Sequence, residues 1–265
     1  MAYRTILLDL STDGTIEARL DAARSLASRF DAALVALHVT PSLDVAAWQG
    51  GWSVHIPPEL VEVQRRASRG ARERVRAAFD RACGGDPGAT WREAEGDPGL
   101  LLAAAAHASD LVVTARDGAA DTPERLVTAT GVPVLVLPPD APRGFGEVVL
   151  VAWKSSPEAA RAAHDALPFL CAAKRVVLCA VGEGAAAGLD EAAVMLRRHE
   201  VKVHPERVDG TDGRAGEVLL AQAAAHGADL LAMGAYGHAR VRELVFGGVT
   251  RHVLHAATLP VLFSG

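Results

Sequence analysis

The sequence predicts an α/β protein made of two related domains, each a five-stranded, mostly parallel sheet with helices on both faces. Three observations predict it: short apolar runs alternate with longer helical segments, the two halves share anchor motifs, and a proline-rich join separates them. Ala108-Ser109-Asp110-Leu111-Val112-Val113 mirrors Gly227-Ala228-Asp229-Leu230-Leu231-Ala232, with Asp110 and Asp229 set 119 residues apart. Ala129-Thr130-Gly131-Val132-Pro133-Val134-Leu135 mirrors Ala256-Ala257-Thr258-Leu259-Pro260-Val261-Leu262, and here Pro133 and Pro260 are 127 apart. The chain is therefore an internal duplication. Its first half lacks eight residues between the two anchors.

Taken in order, the first half reads as strand Thr5 to Leu10, helix Thr15 to Arg29, strand Ala33 to Val39 and a long helix Glu59 to Ala82. A strand near Thr90 to Ala94 follows, then a helix from Pro98 to Ala108 and strands at Leu111 to Thr114 and Pro133 to Leu137. Prolines in Pro138-Pro139-Asp140-Ala141-Pro142-Arg143-Gly144 forbid continued strand or helix, so this is a linker between domains at 1–138 and 145–265. The second half reads as strand Val148 to Ala152, helix Pro157 to Leu170, strand Arg175 to Val181 and helix Leu189 to Glu200. Strand Val201 to Arg207, helix Gly213 to His226, strand Leu230 to Met233, a glycine loop, a last helix and a closing strand at Leu259 to Phe263 complete it.

Bulk properties narrow the function classes. Half of the chain is hydrophobic, much of it alanine, and no apolar segment reaches the roughly 20 residues that span a bilayer. Met1-Ala2-Tyr3-Arg4 runs straight into a strand, without the look of a signal peptide. Cys83, Cys171 and Cys179 have no Cys-x-x-Cys spacing and read as reduced, structural thiols, so a cytoplasmic location is expected. A formal charge of −5 gives no support for nucleic-acid binding.

The segment Met233-Gly234-Ala235-Tyr236-Gly237-His238, with Gly247-Gly248-Val249-Thr250 further on, carries the chemistry. A strand enters a glycine-punctuated loop and a helix begins at the second glycine pair. Glycine lets main chain approach a ligand, and free N–H groups at a helix N-terminus form an anion site. No Gly-x4-Gly-Lys-Ser/Thr and no Gly-x-Gly-x-x-Gly after a strand competes with it. The spacing Gly-x2-Gly-x9-Gly at Gly234, Gly237 and Gly247 resembles the nucleotide loop of the universal stress protein family. A hydroxyl usually follows the last glycine there; here Gly248 follows and the nearest hydroxyl is Thr250. The first half matches Gly234 with Ala115, keeps Gly118 opposite Gly237, and replaces neither Gly247 nor Gly248.

The resemblance covers nearly the whole chain and implies two Rossmann-like domains, with ATP held by the second domain only. It implies phosphate contacts from the backbone amides of Gly237, Gly247, Gly248 and Val249, with Thr250 and His238 adding side chains. Met233 and Gly234 would line the ribose region, and Ala152 and Trp153 would border the base. Mg²⁺ could accompany the phosphates, although no acidic ligand is evident. The family's usual Asp-Gly-Ser after the first strand is replaced: Lys154 and Ser155 stand where Asp and Gly would. Either Lys154 reaches the phosphates as a point charge, or the pocket has drifted and nucleotide binding is weak or lost. A solvated lysine before a helix capped by Ser155 or Ser156, with Pro157 in its first turn, accounts for it without a ligand.

In the first half Asp9, Ser11, Thr12 and Asp13 occupy the equivalent place, where a turn and a helix cap explain them. Ser42 to Pro58, with Trp48, Trp52 and His55, has no counterpart in the second half and reads as a lid or partner contact. His252 and His255 share a helical face, but with His238 they fall short of a metal site, and Arg242 and Arg251 nearby suit an anion instead. No catalytic constellation stands out, so at most slow ATP hydrolysis is expected. The expected function is an ATP-binding regulatory protein of the stress response; the alternative is a nucleotide-free scaffold acting through protein contacts. The apolar closing strands Val134-Leu135-Val136-Leu137 and Val261-Leu262-Phe263 should pair within the chain, and a homodimer is expected beyond that.

Overall fold

The computed structural model describes residues 2–42, 58–116, 122–142, 144–235 and 248–265. Ten strands form one sheet: β1 (Thr5–Asp9), β2 (Ala33–Thr40), β3 (Ala89–Glu95), β4 (Leu111–Ala115), β5 (Val134–Leu137), β6 (Val148–Trp153), β7 (Arg175–Val181), β8 (Val203–Val208), β9 (Leu230–Gly234) and β10 (Val261–Ser264). Their order is β3-β2-β1-β4-β5-β10-β9-β6-β7-β8. Each half repeats one doubly wound, parallel arrangement, and the two meet edge to edge. The joint is antiparallel, with Val136 opposite Val261, Leu135 opposite Leu262 and Val134 opposite Phe263. The closing strands thus pair inside the chain, and the halves are related by an approximate two-fold axis through that seam.

Burial follows position in the sheet. Central strands β4, β5 and β10 are buried along their whole length and read as near-continuous apolar runs, as parallel strands covered on both faces must. The outermost strands β3 and β8 expose Arg92, Glu93 and Glu95 at one end and Pro205 and Glu206 partly at the other. Charge and proline on edge strands discourage pairing with other chains.

Nine helices lie among the described residues: α1 (Ile16–Phe30), α2 (Pro58–Cys83), α3 (Pro98–Ala106), α4 (Thr122–Ala129), α5 (Pro157–Asp165), α6 (Leu167–Ala172), α7 (Leu189–Arg198), α8 (Ala215–Ala225) and α9 (Gly248–Ala256). They divide between two core layers. One face buries Leu20, Val75, Phe79, Phe169, Leu189 and Leu196; the other buries Leu102, Leu126, Leu219, Val253 and Leu254.

Three differences from the sequence expectation have local causes. The single helix expected over Pro157 to Leu170 is two, parted at Ala166, because Pro168 has no N–H to donate back and disfavours a helical residue before it. Helix α4 was not expected; only Leu126 and Val127 mark its apolar face, besides Pro123, which is too short a run for a periodicity to show. The helix expected from Gly213 begins at Ala215 after a 3-10 turn over Asp212–Arg214.

The halves are also joined on both faces of the sheet. On one, Tyr3, Phe30, Phe145 and Phe169 form an aromatic cluster, with the Phe30 and Phe169 rings edge to face, 5.2 Å apart at 90°, and Phe145 stacked on Phe169. Arg29 lies over Phe30 and Phe169 and donates to the Phe145 carbonyl at 2.9 Å. On the other, Arg116 donates to the carbonyls of Leu254, at 3.0 Å, and His255. His255 in turn meets Glu124 at 3.2 Å.

Candidate functional site

In a doubly wound sheet, the crevice for a ligand opens where strand order reverses, at the carboxyl ends of the strands. In the second half that point lies between β6 and β9, where Val151 stands opposite Ala232. Ala152, Trp153 and Lys154 leave the end of β6 beside Met233 and Gly234 at the end of β9, so five of the expected site residues converge there. Gly237, His238 and Gly247 lie outside the described residues.

Trp153 is half-buried and donates its indole N–H to the Ala187 carbonyl at 3.1 Å, which fixes the ring against the loop after β7. Lys154 is also half-buried. Ser156, not Ser155, caps the next helix: its hydroxyl accepts from the Ala159 amide at 3.3 Å, and Pro157 takes the first helical position. Three residues suffice to pass from β6 to α5, so α5 begins close above the end of β9.

That closeness explains Gly234. A Cβ at this position would sit 2.6 Å from the Glu158 carbonyl carbon, 2.7 Å from the Ala159 nitrogen and 2.8 Å from the Glu158 oxygen, all main-chain atoms. Gly234 therefore lets helix α5 approach the sheet, a packing reason that stands without any ligand. The Met233 side chain is buried in the core layer under α9, packed in one cluster with Val253 and Leu254. One group missed in the sequence is Glu158: its Oε2 is shielded from solvent and has no hydrogen-bond partner among the described residues.

Helix α9 begins at Gly248, which is exposed and has open space where a Cβ would be; Val249 is half-buried and Thr250 buried. Neither helical histidine is a ligand donor in waiting. His252 packs its ring on Gly216 of α8, with a Cβ there reaching Cδ2 at 3.0 Å, and His255 pairs with Glu124. Among the described residues no group of three or more His, Cys, Asp or Glu could hold a metal ion.

The equivalent point in the first half, between β1 and β4, is filled from within. Arg19 is 1% exposed and its guanidinium donates to the carbonyls of Asp9 at 3.0 Å, Thr12 at 2.7 Å and Gly14 at 2.5 Å. The Asp9 carboxylate accepts from the Thr114 hydroxyl at 2.8 Å and the Ser11 amide at 2.9 Å. Asp13 binds the Arg74 guanidinium, which holds its carboxyl below the usual range. Six residues separate β1 from α1, against three in the second half, and Ala115 replaces Gly234. The longer turn supplies the Thr12 and Gly14 carbonyls that, with Asp9, surround the Arg19 head group.

Comparison with known proteins finds the same fold elsewhere. Residues 178–264 match the model of the universal stress protein family. A universal stress protein of Synechocystis sp. is 37% identical over 78 residues, which are 29% of this chain and 26% of the relative; the match thus spans about a quarter of that relative's length. The crystal structure of a universal stress protein from Archaeoglobus fulgidus DSM 4304 superposes with a TM-score of 0.72 at 17% identity, covering 98% of this chain and 95% of that one. A functionally unknown protein from Pseudomonas aeruginosa PAO1 gives 0.61 at 16% identity, covering 99% and 92%. Those two likenesses establish a shared tandem fold, and residues 178–264, most of the second half, are similar to the universal stress protein family.

Proposed function

We propose that the chain is a regulatory nucleotide-binding protein that holds one adenine nucleotide, ATP, in the second half. The observation that carries this reading is the contrast between two equivalent crevices. The first is plugged by Arg19. The second is bordered by Trp153 and Lys154 and is approached by a helix N-terminus whose first residue, Gly248, is exposed with open space around it. Amides of Gly248 and Val249 suit phosphate oxygens, joined by Gly237, Gly247 and His238 from the loop. Thr250 reinforces the first turn of the helix, Ala152 and Trp153 border the base, and the main chain at Met233 and Gly234 follows the ribose. Lys154 adds a cation, which favours the phosphate end over the adenosine end. Mg²⁺, where it accompanies the nucleotide, would be carried by the phosphates.

A scaffold without nucleotide is the rival reading. Its natural docking edges, the closing strands β5 and β10, are already paired with each other, which counts against it. Mass spectrometry of the purified chain after mild denaturation separates the two: a co-released adenine nucleotide supports the proposal. Its absence, together with no heat of ATP binding, supports the scaffold.

A further inference from the structure

We infer that the first half acts as a brace for the ligand helix of the second, with Arg116 and Glu124 as positioning residues for the site proposed above, on which this inference rests. Helix α9 has nine residues, so only about 13 Å separates its two ends. Its first turn faces the crevice; its last turn is gripped from across the seam. Arg116 donates to the carbonyls of Leu254 and His255, two of the four that a helix leaves without internal partners, and places a cation at the negative end of the dipole. Glu124 of α4 takes the His255 ring at 3.2 Å.

The grip is rooted in the sheet, because the Arg116 amide donates to the Leu137 carbonyl of β5 at 3.1 Å. The second half repeats that main-chain bond at the counterpart position, where the Ala235 amide donates to Ser264 at 2.7 Å. Its side chain is a buried methyl, which cannot donate to the end of α4 as Arg116 donates to the end of α9. A two-fold duplication would make such a grip reciprocal. Among the described residues it acts in one direction only, from the first half onto the helix beside the crevice of the second.

Hydrogen exchange of the full chain, read by mass spectrometry, tests this together with calorimetric ATP titration of Arg116→Met, Arg116→Lys and Glu124→Gln. Arg116→Met is expected to speed exchange in 248–256 about tenfold, as a local opening, while 122–129 and 215–225 stay at the wild-type rate. ATP affinity should fall about fivefold, the lower end of typical coupling between linked sites, with one nucleotide per chain retained. Arg116→Lys should recover part of both losses, because an ammonium still reaches one carbonyl, and Glu124→Gln should show a smaller loss of each. Unchanged exchange in 248–256, exchange raised equally in all three helices, or faster exchange with unchanged affinity would each overturn the inference. If the wild type binds no ATP, the functional proposal fails and the exchange data alone judge the grip.

Discussion

Replacing Gly234 by alanine adds a single methyl where three main-chain atoms of α5 lie 2.6 to 2.8 Å away. Ordinary carbon contacts begin near 3.5 Å, and neither Glu158 nor Ala159 can turn its main chain aside without moving the first turn of the helix. Overpacking of this kind costs about 1–3 kcal/mol, and main-chain neighbours put this site near the top, about 3 kcal/mol. For a chain of this size 1 kcal/mol shifts Tm by about 2–4 °C, so Gly234→Ala should melt about 6–12 °C lower. Thermal unfolding followed by circular dichroism without ligand, and urea unfolding with an unchanged m-value, measure the effect. Gly248→Ala is the control: its Cβ would meet nothing, so stability should hold or rise by up to about 1 kcal/mol. A Gly234→Ala protein within about 1 kcal/mol of wild type would refute the claim that this glycine exists to admit the helix.

Arg19→Met should destabilise by about 2–4 kcal/mol, since the carbonyls of Asp9, Thr12 and Gly14 lose their donors, and calorimetry should still count one nucleotide per chain. Gly247→Val should abolish ATP binding in a protein whose circular dichroism is unchanged; retained affinity would make the loop a mere connector. Only Cys171 of the three thiols is exposed, so a thiol reagent at pH 8 should label one cysteine natively and three in urea. Burial pushes the Cys179 thiol up to about 12, so the unfolded chain loses this proton first, and stability should fall as pH rises above about 9. We further predict a homodimer; light scattering that shows only monomer at high concentration would contradict it.

The sheet was legible in the sequence because its strands are short, apolar and punctuated, and because duplicated anchors at Asp110 and Asp229 fix the register of the halves. The pairing of Val134–Leu137 with the last strand followed from two apolar edges that need cover. What escaped notice depends on distance in space. Arg19 looked like one more charge on a helix, and only the folded turn brings Asp9, Thr12 and Gly14 around it. Gly234 read as room for a ligand, while its nearest neighbours prove to be Glu158 and Ala159, 76 and 75 residues earlier. The Arg116 grip joins residues well over a hundred positions apart, beyond any periodicity.

The central claim is that duplication left one working nucleotide site and one closed by its own arginine. Calorimetric titration of the full chain with ATP tests it most directly. One binding event per chain, lost in Gly247→Val and kept in Arg19→Met, is the result expected. Two events per chain, or one that survives Gly247→Val, would contradict it.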